Sequence, residues 1–187
     1  MLTTPSCIRK AATALLGVAL ASQAMSAATP APKHTPSVPG FAWGVEAGGG
    51  VDMTSNDMST INIDAFFGYR NSWIDVLGIG AEIDMMVDDS NRTFPVYAIF
   101  RTNFHTYHTP CFLDMRLGAA FNNLGERNQT GVYVAPGIGF NLAKGTTFQS
   151  YITLSYEFNG MRSFEADGYR HIIHGMHMAL VRFGITF

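Results

Sequence analysis

The stretch Gln149-Ser150-Tyr151-Ile152-Thr153-Leu154-Ser155-Tyr156-Glu157-Phe158-Asn159 decides how this chain reads. Ile152, Leu154, Tyr156 and Phe158 fall on one side, and Gln149, Tyr151, Thr153, Ser155 and Glu157 on the other. That period of two belongs to a β-strand, because successive side chains point to opposite faces of the pleat. The closing stretch repeats it. Ala179, Val181, Phe183, Ile185 and Phe187 share a face opposite Met178, Leu180, Arg182, Gly184 and Thr186. Further back, Leu113, Met115, Leu117, Ala119 and Phe121 oppose Phe112, Asp114, Arg116, Gly118 and Ala120.

Working outward, eight such segments follow one another: Phe41–Val51, Thr60–Arg70, Asp75–Val87, Thr93–Asn103, Cys111–Asn122, Gly131–Leu142, Phe148–Asn159 and Gly175–Phe187. They run to about 11 to 13 residues, longer than the usual strand of about 5 or 6. A tilted strand that crosses a bilayer needs about 9–11 residues. The remaining stretches are connections. Those at 71–74, 104–110 and 143–147 are expected on the side of the chain termini, and those at 52–59, 88–92, 123–130 and 160–174 on the other.

The alternation places Glu46, Asp64, Glu82, Asp84, Asp114 and Glu157 on the polar face, together with Arg101, Arg116 and Arg182. A soluble barrel would turn this face to water, and a membrane barrel would turn it into the lumen. Three features favour the lumen. The apolar face is almost uninterrupted. The polar face is rich in glycine (Gly44, Gly48, Gly78, Gly80, Gly118, Gly137, Gly139, Gly184), which suits a narrow interior. The eight segments contain no lysine, the residue a soluble surface favours. Aromatics such as Trp43, Tyr69, Phe94, Phe104, Tyr156 and Phe187 lie near segment ends, where interfacial girdles form. The expected fold class is all-β, an eight-stranded antiparallel transmembrane barrel in an up-and-down meander. The sheet must close, since lipid offers no partner to an open edge.

Composition bounds the alternatives. The 187 residues are 47% hydrophobic, 12% aromatic and 14% charged, against about 25% charged in a typical soluble domain. The net charge of -2 argues against a nucleic-acid binder. Residues 1–28 read as a secretory signal: Arg9-Lys10, an apolar run from Ala11 to Ala21, then small residues with cleavage expected after Ala24, Ala27 or Ala28. Residues 29–40 hold Pro30, Pro32, Pro36 and Pro39 and are expected to be an extended linker, with the barrel at 41–187. Cys7 precedes the apolar run, where no lipid anchor attaches. Cys111 is then the lone cysteine of the mature chain, expected as an apolar space-filler.

The segment Phe94-Pro95-Val96-Tyr97-Ala98-Ile99-Phe100-Arg101-Thr102-Asn103-Phe104 and the ending Val181-Arg182-Phe183-Gly184-Ile185-Thr186-Phe187 carry a resemblance. Over about residues 41–187 the chain resembles the small eight-stranded outer-membrane barrels of Gram-negative bacteria, of the OmpA/OmpX type, with a fourth strand similar to that of Bacteroidetes-type members. The resemblance implies that Val181, Phe183, Ile185 and Phe187 form a C-terminal signal for the barrel-assembly machinery. It also implies residence in the outer membrane among its lipids and lipopolysaccharide.

For function, the nine charged residues are expected to plug the lumen with ion pairs, because an eight-stranded barrel is just wide enough for its side chains to fill. A structural or surface-interaction role follows, with Arg162, Phe164, Tyr169 and Arg170 of the longest outer connection as candidate contacts. A narrow porin-like channel for small solutes or ions is the alternative, and a soluble exported ligand-binding barrel the second. No enzyme, cofactor or metal site is expected. His174-Gly175-Met176 and His177-Met178-Ala179 lack the serine of the His-x-Ser arrangement that lipid-deacylating barrels use, and His171, His174 and His177 do not share one face of a strand.

Overall fold

The computed structural model describes residues 39–54, 59–71, 73–87, 91–104, 111–124, 127–145, 148–161, 164–166, 169–171 and 175–187, with backbone alone at 124, 127, 144, 164–166 and 169–171. The segments expected as signal and linker lie outside them, apart from Pro39 and Gly40, the second of which opens the first strand. The strands are β1 Gly40–Asp52, β2 Thr60–Arg70, β3 Val76–Met86, β4 Arg92–Asn103, β5 Cys111–Leu124, β6 Arg127–Lys144, β7 Gln149–Asn159, β8 Phe164–Ala166, β9 Tyr169–His171 and β10 Met176–Thr186. Eight of them close a barrel in the order β1-β10-β7-β6-β5-β4-β3-β2, and β8 and β9 form a separate hairpin. Every neighbouring pair in the barrel is antiparallel. No helix among the described residues is long and apolar enough to cross a membrane.

Closure joins β1 to β10, from Gly44 opposite Thr186 to Asp52 opposite Met178. Trp43 and Phe187 extend the seam by exchanging backbone hydrogen bonds, 3.3 and 2.8 Å, and their rings stack at 4.6 Å. Closure leaves no long edge with unpaired backbone groups. The ladder is interrupted where proline supplies no N–H. Between β3 and β4 the pairing skips from Ala81–Val96 to Asp84–Thr93, around Pro95. Between β6 and β7 it skips from Val134–Phe158 to Gly137–Ser155, around Pro136.

Two connections differ from the expectation. The stretch 123–130 is mostly strand: β5 and β6 stay paired to Asn123–Asn128 and Leu124–Arg127. Its asparagines and Gln129 have the polarity of a loop, yet beyond the apolar band a hairpin can keep its backbone ladder while its side chains face water. The stretch 160–174 contains the β8–β9 hairpin, paired from Phe164–His171 to Ala166–Tyr169. The sixth strand also reaches Lys144, so the strands do contain one lysine.

The outer wall is apolar along its length. Ile61, Ile63 and Phe67 of β2, Leu77, Ile79 and Ile83 of β3, Leu117 of β5, Ile138 of β6 and Leu154 of β7 are all exposed. The polar face is inside, and its exposure decides the sorting: Glu46 2%, Asp114 0%, Arg116 1%, Arg182 0%. At the barrel end away from Gly40 and Phe187, Met86, Met161, Met176, Met178 and Leu180 pack into a buried apolar cluster. Cys111 sits half-buried on the outward face of β5, a thiol in the wall rather than in the core.

Candidate functional site

The lumen is built around three buried arginines. Across β1, β2 and β3, Glu46, Asp64 and Glu82 stand side by side in register. Three like charges in one row repel one another. They are held together by arginines from the facing strands. Arg116 of β5 reaches Glu46 Oε2 at 2.5 Å, Asp64 Oδ2 at 3.0 Å and its near neighbour Asp114 Oδ1 at 2.9 Å. Arg101 of β4 donates to Glu46 Oε1 at 2.7 Å and to Asp114 Oδ2 at 2.5 Å through Nη2 and 2.8 Å through Nε. Arg182 of β10 donates to Glu82 Oε1 at 2.8 Å, to Glu82 Oε2 at 3.0 Å and to Glu157 Oε2 at 3.1 Å. A longer contact, Arg182 to Asp64 at 3.7 Å, joins the two groups.

Tyrosine hydroxyls complete the network. Tyr151 donates to Glu46 Oε1 at 2.6 Å, Tyr97 to Asp64 Oδ1 at 3.0 Å, and Tyr133 to Glu82 Oε2 at 2.8 Å. These tyrosines were not among the expected site residues. Their signal was positional, since each sits an even number of residues from a polar-face neighbour on its own strand: Tyr151 from Glu157, Tyr97 from Arg101, Tyr133 from Gly137.

The lumen glycines serve these rings. A side-chain carbon at Gly44 would fall 2.5 Å from the Phe66 ring, at Gly80 2.7 Å from Tyr97, and at Gly184 2.5 Å from Tyr151; Gly139 lies against Phe112 in the same way. The rings lie flat on the bare backbone and present their faces to the cations. Arg101 Cζ sits 4.3 Å from the Tyr151 centroid, 4.8 Å from Phe112 and 5.1 Å from Phe66. Arg116 Cζ is 5.1 Å from Tyr97. Such contacts are each worth about 2 kcal/mol or more when desolvated. These four glycines thus make room for aromatic walls around arginine, whereas Gly48, Gly78 and Gly118 lie against neighbouring backbone and Gly137 against Ser155.

The nine expected lumen residues, Glu46, Asp64, Glu82, Asp84, Arg101, Asp114, Arg116, Glu157 and Arg182, are all buried inside the barrel. Eight are drawn into the arginine network. Asp84 is the exception: neither of its oxygens has a donor. Nearer the far rim lies a neutral layer in which Thr93 donates to Asn122 at 3.0 Å, and Asn122 and Asn159 exchange hydrogen bonds of 3.1 and 2.7 Å. Side chains therefore cross the lumen at successive levels from Glu46 to the methionine cluster.

Of the residues expected outside the lumen, Val181, Phe183 and Phe187 are exposed on the outward face and Ile185 is half-buried there. Phe164, Tyr169 and Arg170 lie on the backbone of the β8–β9 hairpin, and Arg162 lies outside the described residues. His177 faces outward with Nδ1 2.5 Å from the Tyr156 hydroxyl and its ring 5.1 Å from that of Phe158. His174 is outside the described residues, and of His171 the backbone alone is described. No group of three His, Cys, Asp or Glu side chains among the described residues could hold a metal ion.

No protein-family model matches the chain. No curated protein matches it either. Solved structures do. The crystal structure of the N-terminal β-barrel domain of Pseudomonas aeruginosa OprF is similar over 80% of this chain and 100% of that one, at 12% identity and a TM-score of 0.54. The Yersinia pestis outer membrane protein Ail, in a phospholipid bilayer nanodisc, matches over 79% of this chain and 100% of that one, at 15% identity and a TM-score of 0.46. Neisserial surface protein A matches over 78% and 94%, at 11% identity and a TM-score of 0.45. At 12% identity, the likeness to the OprF barrel is one of fold.

Proposed function

We propose that this chain is a closed barrel of the Gram-negative outer membrane, with a structural or surface-interaction role and a lumen plugged by ion pairs. One observation carries the reading: the barrel is sorted inside out relative to a soluble protein. Ile61, Ile79, Leu117 and Leu154 stand exposed on the wall while Arg101, Arg116 and Arg182 are buried. An apolar wall costs free energy in water and none in lipid, and the desolvation of each buried arginine is offset by several carboxylate partners. The fold shared with the OprF barrel supports the same reading. A soluble carrier needs the reverse sorting, with a polar wall and an apolar interior.

In this reading the exported chain, freed of residues 1–28, is delivered to the barrel-assembly machinery by its last strand. Its wall then contacts lipid and lipopolysaccharide. The partner-binding surface is the end bearing the β5–β6 and β8–β9 hairpins, where Phe164, Tyr169 and Arg170 lie, with Arg162 two residues before Phe164 in sequence. Conduction is minimal, since a solute would have to displace the arginine network and the methionine cluster.

The test is direct. The full chain, expressed in a Gram-negative host, should fractionate with the outer membrane and migrate differently on SDS gels before and after boiling. Reconstituted in a planar bilayer it should pass no steady current. Recovery as a soluble protein without heat-dependent migration overturns the membrane reading, and stable open-channel steps overturn the plug.

A further inference from the structure

The half of the lumen nearer the methionine cluster carries more negative charge than its one arginine balances. Arg182 serves Glu82 and one oxygen of Glu157. Asp84 is fully buried and receives no donor at either oxygen. The neighbouring charge on its own strand is Glu82, a second acid. Opposite it in register stands Asn62, 1% exposed, whose amide oxygen and nitrogen both lack a partner. The register row runs Arg182, Gly48, Asn62, Asp84, Thr93 around the wall. Gly48 has no side chain, and a carbon added there would fall 2.9 Å from Asn62 Oδ1.

A carboxylate out of water needs a counter-charge, and a neutral water does not supply one. The charged groups facing Asp84 are Glu82 of its own strand, Glu157 of β7 and Arg182 of β10. Arg182 is already shared between the two glutamates. Two residues further along β2 and β3, Thr60 pairs with Met86, where the apolar cluster begins and closes that side. Besides one oxygen of Glu157 and the Thr153 hydroxyl, the unused atoms are both carboxylate oxygens of Asp84 and the Asn62 amide, enclosed and with no positive charge bound to Asp84.

We propose that Asp84 and Asn62 form a buried site for one small monovalent cation, either a proton held on the carboxyl or an alkali-metal ion. A divalent metal suits the site less well, because Asp84 is the carboxylate with both oxygens open, while Glu82 is committed to Arg182 and Tyr133 and Glu157 shares Arg182 through one oxygen. Asp84 supplies the charge, and Asn62 supplies a carbonyl oxygen to a metal ion or hydrogen bonds to the protonated acid.

Two measurements on the folded full-length barrel in lipid vesicles distinguish the two sources. Infrared spectra at neutral pH report a protonated carboxyl group. Unfolding midpoints in sodium, potassium and choline chloride at equal ionic strength report an alkali ion. If the charge is a proton, the wild type shows a protonated-carboxyl band that Asp84→Asn abolishes, and the midpoints agree in all three salts. If it is a metal ion, the band is absent and the midpoint rises in sodium or potassium over choline. Asp84→Asn then removes that rise and Asn62→Leu weakens it. A wild type with neither band nor cation dependence overturns the site, as does a band or salt response that persists in Asp84→Asn. Should Asp84→Asn fail to fold, Asn62→Leu decides: a shifted band or a reduced salt response supports the site, and no change in either overturns it.

Discussion

The two halves of the lumen differ in how completely their acids are answered. In the half nearer Gly40 and Phe187, all six oxygens of Glu46, Asp64 and Asp114 accept from Arg101, Arg116, Tyr97 or Tyr151. In the half nearer the methionine cluster, Glu82 is fully met, Glu157 is met at one oxygen and Asp84 at none. The halves contain the same residue types. What separates them is the ratio of donors to acceptors within reach. A buried ion cluster is therefore as stable as its least satisfied member allows, since an unmade hydrogen bond to a charge costs more than a made one returns.

The largest effect is expected from breaking the satisfied half. Arg116→Met strands Glu46, Asp64 and Asp114 together and should cost about 3–5 kcal/mol or abolish folding. Urea titration in lipid vesicles, with heat-dependent gel migration as the readout, checks this. A second substitution asks whether both halves sit behind one lipid-facing wall. Leu117→Arg, mid-strand on the outer face, should cost about 2–4 kcal/mol in a bilayer, and close to nothing if that wall meets water. The comparison is sharpened by neutralising one acid in each half. Glu46→Gln loses hydrogen bonds to two guanidinium groups and should cost about 1.5–3 kcal/mol. Glu157→Gln removes a charge from the over-acidic half, so its unfolding free energy should fall by no more than about 1 kcal/mol, or rise. Equal losses for the two glutamine variants would mean that the halves are not different in kind.

Much of the barrel was legible in the residues. Ile152, Leu154 and Tyr156 against Thr153, Ser155 and Glu157 specify a strand and its two faces, and the same holds on the other seven long strands. The ends were less legible. Asn122, Asn123, Asn128 and Gln129 have a loop's composition, and pairing alone carries β5 and β6 through them. A glycine on the polar face signals room in a narrow interior, but no single-residue property announces that the rings of Phe66, Tyr97, Phe112 and Tyr151 take that room at Gly44, Gly80, Gly139 and Gly184. Asn62, two residues before Asp64, is an unexceptional asparagine until its neighbours in the barrel are known.

By itself the sequence determined which side chains face in and which face out, because the alternation of Cβ atoms along a strand is a covalent property of the backbone. Closure and register decided the rest. Register set Glu46, Asp64 and Glu82 in one row, and closure brought Arg101, Arg116 and Arg182 across the lumen to meet them. Which acid is left without a partner depends on distances between strands far apart in the chain. Only the closed barrel has those distances, and in it the acid left over is Asp84.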